Sequence, residues 1–318
     1  KRYNPFMVHP VLEVSGLTKQ YGNFTAVNNI SFSIKEWEIV GLLGPNGAGK
    51  TTTIQMLLAL THPTKGSIKY FGQDLRTHRE EILARINYVS AYSGMQSRVT
   101  VWENLQVFAG LYEVEHWEKK AKNIVELLGI SHKSSSLFWH LSSGEKARVN
   151  MAKALLNDPE LILMDEPTAS LDPEIVDTIL DMIATMRKEK NVAILYTSHN
   201  MGEVSRLCDR VIFLYHGKII ASDTPLGLSR RVADTTLRLI YNDSETPVIA
   251  YLKAQRLTHS IVKPHIVEVS LDEKNIPKVL FGLAKAGVYI TDIEIERPDL
   301  EDVFLAVAKG GAHALATD

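Results

Sequence analysis

Ile39-Val40-Gly41-Leu42-Leu43-Gly44-Pro45-Asn46-Gly47-Ala48-Gly49-Lys50-Thr51 passes from a continuous apolar run into a glycine-rich turn that ends on a lysine and a hydroxyl. The run reads as a central parallel strand buried on both faces, and Lys50 to Leu60 reads as the helix that follows it. A strand, a turn with this glycine spacing and a helix together make a cradle for phosphate. The glycines let backbone N–H groups converge on phosphate oxygens, and the helix N-terminus adds partial positive charge. Lys50 is placed to neutralise the outer phosphates and Thr51 to offer its hydroxyl to magnesium, with Thr52 beside it as a further contact. The competing reading is a strand-to-helix turn that binds nothing, and the complete pattern in its proper context argues against that.

Outward from this loop, Leu161-Ile162-Leu163-Met164-Asp165-Glu166 is a second apolar strand that delivers two adjacent carboxylates at its C-terminal end, where open parallel sheets bind ligands. Adjacent strand residues face opposite ways, so the two acids are expected to do separate work. Asp165 would hold magnesium through its water shell, and Glu166 would polarise an attacking water. Alone, such a pair is more often a solvated turn or a helix cap, and the phosphate cradle in the same chain tips the balance toward catalysis.

The remaining sequence frames these two elements. The 318 residues are enough for about two domains. With 45% hydrophobic and 23% charged residues, the composition is that of an ordinary globular protein. No apolar run approaches the roughly 20 residues needed to cross a bilayer, and Lys1 to Pro10 lacks the apolar core of a secretion signal. A net charge of -2 gives no basic footprint for nucleic acid, and the single Cys208 excludes an internal disulfide framework. Val192 to Tyr196 reads as another buried strand. Alternating patterns at Val11 to Ser15 and Phe32 to Ile34, and a hairpin through His216-Gly217, add antiparallel strands. Between Tyr88 and Asp158 the pattern is helical, without a convincing strand. The expected fold is therefore α/β: a phosphate-loop NTPase mixed sheet with an antiparallel β subdomain and helical insert (residues 10–225, insert about 88–158). A small C-terminal α+β domain is expected over residues 233–310.

Leu141-Ser142-Ser143-Gly144-Glu145, opening a helical stretch, resembles the signature motif of the ATP-binding-cassette (ABC) ATPases. On its residues alone the run is a helix cap. The resemblance implies a second phosphate-binding helix N-terminus, with the Ser142 hydroxyl and the Ser143 and Gly144 amides as donors, completing a partner subunit's ATP site across a head-to-tail dimer. Ser170-Leu171-Asp172 resembles the loop that couples the two sites, His199 the switch histidine that touches the γ-phosphate, and Tyr21 the aromatic that stacks on adenine. Pro298-Asp299-Leu300-Glu301-Asp302-Val303-Phe304 resembles the tail of ATPases paired with small bacterial exporters of drugs, polysaccharides or ions. The resemblance thus implies an ATP-hydrolysing subunit with ATP and Mg2+ as cofactors and Glu166, His199 and Lys50 as catalytic residues. Its implied partners are a second ATPase subunit, most simply another copy, and a membrane permease. No nucleic acid partner is expected, and the subunit would lie peripherally on the cytoplasmic face of the inner membrane. The alternatives are an ABC ATPase coupled to something other than transport, or a nucleotide-regulated module with little turnover.

The chain departs from that family at three positions. Ala91 stands where a magnesium-contacting glutamine is usual, and Gln96 would need a shifted loop to replace it. Ser143 stands for a glycine and Glu145 for a glutamine, which is expected to add a Cβ and a negative charge near a phosphate-binding loop.

Overall fold

The computed structural model describes residues 10–91, 94–230, 235–242 and 244–310. Residues 1–9, and the expected start of the second domain at Ala233, lie outside the described residues. The chain divides into two compact units, Lys1–Pro225 and Leu226–Asp318.

In chain order the first unit holds β1 (Pro10–Tyr21), β2 (Phe24–Lys35), β3 (Ile39–Leu43), α1 (Lys50–Leu57), β4 (Lys65–Tyr70), β5 (Gln73–Asp74), α2 (Arg79–Leu83) and β6 (Ile86–Ser90). There follow α3 (Val101–Leu111), α4 (Trp117–Leu127), α5 (Ser143–Leu155), β7 (Leu161–Asp165), α6 (Pro173–Lys190), β8 (Ala193–Thr197), α7 (Met201–Leu207), β9 (Arg210–Tyr215) and β10 (Lys218–Asp223). Two sheets result. β2-β1-β4-β5 is antiparallel, whereas β10-β9-β3-β8-β7-β6 is parallel apart from its β10 edge. Every residue of β3 and β8 is buried, as befits central strands covered on both faces. The core between the sheets gathers around α1, where Met56 and Leu57 pack with Leu12, Ile34, Leu42 and Leu195.

Several elements differ from their sequence reading, each for a physical reason. β1 and β2 run for twelve residues each, far beyond the short alternating stretches. Register shifts at Val14/Leu17, Leu17/Lys19 and Lys19/Gln20 break the period of two that would have shown the whole length. β6 reaches Ser90, so the helical segment opens inside a strand. Its polar Asn87 interrupts the apolar run and is satisfied by Ala154 O at 2.9 Å and Asn157 Oδ1 at 2.5 Å. α6 has no counterpart in the sequence reading, although Pro173 at its start and buried Ile179, Leu180, Ile183 and Met186 carry the helical period.

α8 (Pro225–Ser229) lies where the two units meet in the chain. The second unit continues with β11 (Thr235–Tyr241), α9 (Glu245–Ala254), β12 (Thr258–Lys263), β13 (Ile266–Leu271), α10 (Ile276–Lys285), β14 (Ile290–Glu296) and α11 (Leu300–Gly310). Its strands form an antiparallel sheet in the order β12-β13-β11-β14. One face, with Leu237, Leu239, Val267 and Val269, packs with Val248 and Leu252 of α9 and Val279 and Leu283 of α10. On β11 the alternate residue Arg238 pairs with Glu268 at 2.6 Å and Glu294 at 3.0 Å.

The turn from β3 into α1 is wedged against two other elements. A Cβ on Gly44, at φ 149°, would sit 2.2 Å from Leu214 O of β9, and one on Gly49, at φ 105°, 2.6 Å from Ala26 O of β2. Gly217 ties the same corner together: its N–H donates to Ala48 O at 3.0 Å and its carbonyl accepts from Asn28 N at 2.8 Å. Gly44→Ala is therefore expected to lower stability by at least ~3 kcal/mol, since strain and backbone overlap add. Gly47→Ala, whose methyl meets nothing within 4 Å, is expected to cost only the left-handed backbone penalty of about 1–2 kcal/mol. Urea unfolding midpoints of the two variants check the difference.

Candidate functional site

α1 begins at Lys50 with no acidic residue in its first turn, so its N-terminal amides and partial positive charge are not offset from within the helix. The Lys50 side chain lies over the loop, with Nζ donating to Gly44 O at 2.5 Å and Pro45 O at 3.3 Å. Burial lowers the Lys50 pKa, while the charges of Glu166 and Asp165 act in the opposite direction. The loop lines a cavity of about 240 Å³ together with Phe24, Asp165, Glu166 and His199. Asn46 to Thr52 all face it, and Gly44 and Pro45 form the base of the turn.

Asp165 is the last residue of β7, and its carboxylate is held by hydroxyls on both neighbouring strands. Thr197 Oγ1 donates to Oδ1 at 2.6 Å and Tyr88 OH to Oδ2 at 3.3 Å. Burial foremost, and the Asp165 charge in addition, raises the Tyr88 hydroxyl above its ordinary pKa. Glu166 lies just beyond the strand at φ 50°. That left-handed conformation cancels the alternation expected of adjacent strand residues, so both carboxylates face one cavity. Thr197 holds the turn in place, its carbonyl and its hydroxyl each lying 3.1 Å from the Glu166 amide. Glu166 Oε1 then lies 2.7 Å from His199 Nε2, with the imidazole half exposed. A carboxylate fixed against an imidazole at the open side of a phosphate loop is an arrangement that can accept a proton from water beside a phosphoryl group.

The signature run is placed elsewhere. Ser142 caps α5 in a reciprocal box: Ser142 Oγ accepts from Glu145 N at 3.2 Å, and Glu145 Oε2 accepts from Ser142 N at 2.9 Å. The Ser142 N–H holds the Glu145 carboxyl below the usual range, and Lys133 Nζ at 3.1 Å assists. The extra negative charge is thus absorbed by the cap and an ion pair. Gly144 is buried against Ile175 of α6. Ser143 lines a second cavity of about 190 Å³ with Ala91, Asn150, Ser170 and Leu171. Gln96 does not reach the phosphate cavity: its backbone is clamped to Asn104 of α3 on both sides, at 2.9 and 3.0 Å.

Tyr21 stands at the end of β1, exposed, with Lys19 Nζ 4.9 Å from its ring centre. Its partner across the turn, Phe24, is the aromatic lining the phosphate cavity. Phe24 was missed because nothing in a strand pattern separates the two ends of a tight turn. Thr197 and Tyr88 were missed because hydroxyls beside apolar strands carry no motif. Among the described residues no group of three or more His, Cys, Asp or Glu gathers in a metal-binding arrangement.

Residues 27–169 match the ABC transporter family. Over 304 residues the chain is 31% identical to a bacitracin transport ATP-binding protein of Bacillus licheniformis, covering 95% of this chain and 98% of that one. It is 32% identical over 305 residues to a linearmycin resistance ATP-binding protein of Bacillus subtilis, covering 93% and 97% respectively. A Nod factor export ATP-binding protein of Ralstonia nicotianae is 34% identical, covering 77% of this chain and 76% of that one. Among solved structures, cbiO1 of Clostridium perfringens, part of the ABC transporter complex cbiONQ, is similar with a TM-score of 0.64 and 28% identity, over 69% of this chain and 90% of that one. With its phosphate loop, paired carboxylates and near end-to-end likeness to these proteins, the chain belongs to the ABC transporter family as one of its ATP-binding, ATP-hydrolysing subunits.

Proposed function

We propose that the chain powers an exporter: two copies close on MgATP, and the closing motion is passed to a separate membrane permease from its cytoplasmic face. The carrying observation is the convergence of Lys50, Asp165, Glu166 and His199 on one cavity, with Glu166 2.7 Å from His199. Export is supported by the Nod factor export protein among the relatives and by the near full-length likeness to the bacitracin transport and linearmycin resistance proteins. No helix among the described residues is long and apolar enough to cross a membrane, so a spanning partner is part of the proposal.

In this reading Lys50 and the loop amides hold the ATP phosphates. Thr51 and Asp165 present hard oxygen donors on one cavity, a partial set of the kind that magnesium completes with phosphate oxygens and water. Phe24, with Tyr21 beside it, offers an aromatic surface for the base. Glu166 takes the proton of the attacking water and His199 orients it against the γ-phosphate. Ser142, Ser143 and Gly144 serve the second copy's nucleotide. Residues 10–225 form the ATPase domain with its helical insert, and 233–310 an accessory domain.

Glu166→Gln is expected to lower ATP turnover by at least ~10²-fold while leaving ATP binding intact. Steady-state phosphate release beside equilibrium nucleotide binding measures both. Glu145→Gln keeps the capping box and loses a partly exposed ion pair, so stability should change by less than about 0.5 kcal/mol. In detergent extracts, Glu166→Gln loaded with MgATP should elute as a dimer and carry a multi-spanning protein with it. Recovery of soluble partners alone from well-extracted membranes refutes the transport role.

A further inference from the structure

α7 carries a carboxylate with no place in the proposed function so far. Glu203 is 6% exposed, and its Oε2 accepts three hydroxyl hydrogen bonds: from Thr168 Oγ1 at 2.7 Å, Tyr196 OH at 2.7 Å and Ser198 Oγ at 2.9 Å. All three donors are buried. Burial, and next the Glu203 charge, pushes the Tyr196 hydroxyl far above its ordinary range, which keeps it a donor.

The donors come from two segments that must hold register with each other. Thr168 belongs to the turn that follows Glu166, where Ala169 N donates to Glu166 O at 3.1 Å. Ser198 precedes His199, and its Oγ also accepts from Asn200 N at 3.0 Å, so one hydroxyl grips the backbone on both sides of the imidazole. Asn200 Oδ1 in turn caps α7 by accepting from Gly202 N and Glu203 N, which sets Glu203 one turn along. The carboxylate is thus a shared anchor of the Glu166 turn and the His199 turn. None of its three hydroxyl donors belongs to the phosphate loop.

We propose that Glu203 is a positioning residue for hydrolysis: through Thr168 and Ser198 it holds the Glu166–His199 contact in place. This rests on the ATPase reading, and its effect belongs to the chemical step, because Lys50 and the loop that hold nucleotide are anchored to β2 and β9 instead.

The test is Glu203→Gln in the full chain, which keeps shape and removes the charge that three hydroxyls converge on. The expected result is a folded protein with KM for ATP within about twofold and kcat at least ~10-fold lower. In a His199→Ala background the same change should lower kcat less than about twofold further, since both act on one contact. An unchanged kcat, or an equal fold loss in both backgrounds, overturns the proposal. If Glu203→Gln fails to fold, Ser198→Ala severs one arm alone and is expected to lower kcat at least ~3-fold with KM unmoved. A readout that needs no turnover is the His199 imidazole nitrogen resonance, assigned by comparison with His199→Ala. In Glu203→Gln it should move toward its position in Glu166→Gln, and an unmoved signal overturns the proposal. Absence of phosphate release by the unaltered chain would sink the ATPase reading, while the imidazole signal would still judge Glu203.

Discussion

The corner at which β3 turns into α1 is closed from two sides by carbonyl oxygens, Leu214 O against Gly44 and Ala26 O against Gly49. Because those oxygens belong to β9 and β2, the phosphate loop is fixed by both sheets of the first unit rather than by its own strand and helix. The fit leaves no room for a methyl group, and interiors packed to this density transmit displacement instead of absorbing it. The loop amides therefore stay convergent, and Lys50, folded over them onto Gly44 and Pro45 carbonyls, is held where its charge serves the same space. The long bulged strands β1 and β2 make sense in this light: their register shifts bend the antiparallel sheet, and the end of β2 nearest the turn delivers Ala26 to the loop.

Much of this was legible in the amino-acid order because its signals are local. A buried strand, a glycine turn and a helix start lie within thirteen residues, and the Asp165-Glu166 strand lies within six. What was illegible depends on contacts between distant segments. Nothing near Glu166 announces a left-handed backbone, for that conformation is held by Thr197, thirty-one residues away. The helical insert reads as beginning at Tyr88, inside β6, because the polar Asn87 of that strand is satisfied only after α5 has folded across it. The charge of Glu145 looked hostile to a phosphate site until the capping box and Lys133 accounted for both of its oxygens. α6 is a different case: its proline start and its apolar spacing were present and were simply not used.

The site divides into two mechanical parts. In the proposed function nucleotide is gripped by the loop, whose supports are backbone atoms of both sheets. The proposed chemistry falls to Glu166 and His199, which sit on two turns beyond the ends of neighbouring parallel strands. Strand pairing sets those turns side by side at Asp165 and Thr197, and beyond that register the Glu166 amide is held by the Thr197 carbonyl. The remaining distance between carboxylate and imidazole is left to side chains.

Hydroxyl donors suit that duty better than an arginine or lysine would. Burying a carboxylate among neutral groups is unfavourable unless its lone pairs are well satisfied. A cationic partner would restore the balance, yet it would also add a full positive charge beside the turns that carry Glu166 and His199. Three hydroxyls satisfy the Glu203 oxygen with charge-assisted hydrogen bonds while adding no net charge to the reacting side. An apolar replacement would be cheaper to bury, but it would take away the common acceptor of three buried hydroxyls, leaving Thr168 and Tyr196 only each other at 3.4 Å, and it would leave two turns without a common anchor. On this proposal the geometry of the Glu166–His199 pair and the polarity of the buried cluster are two consequences of one choice of side chain.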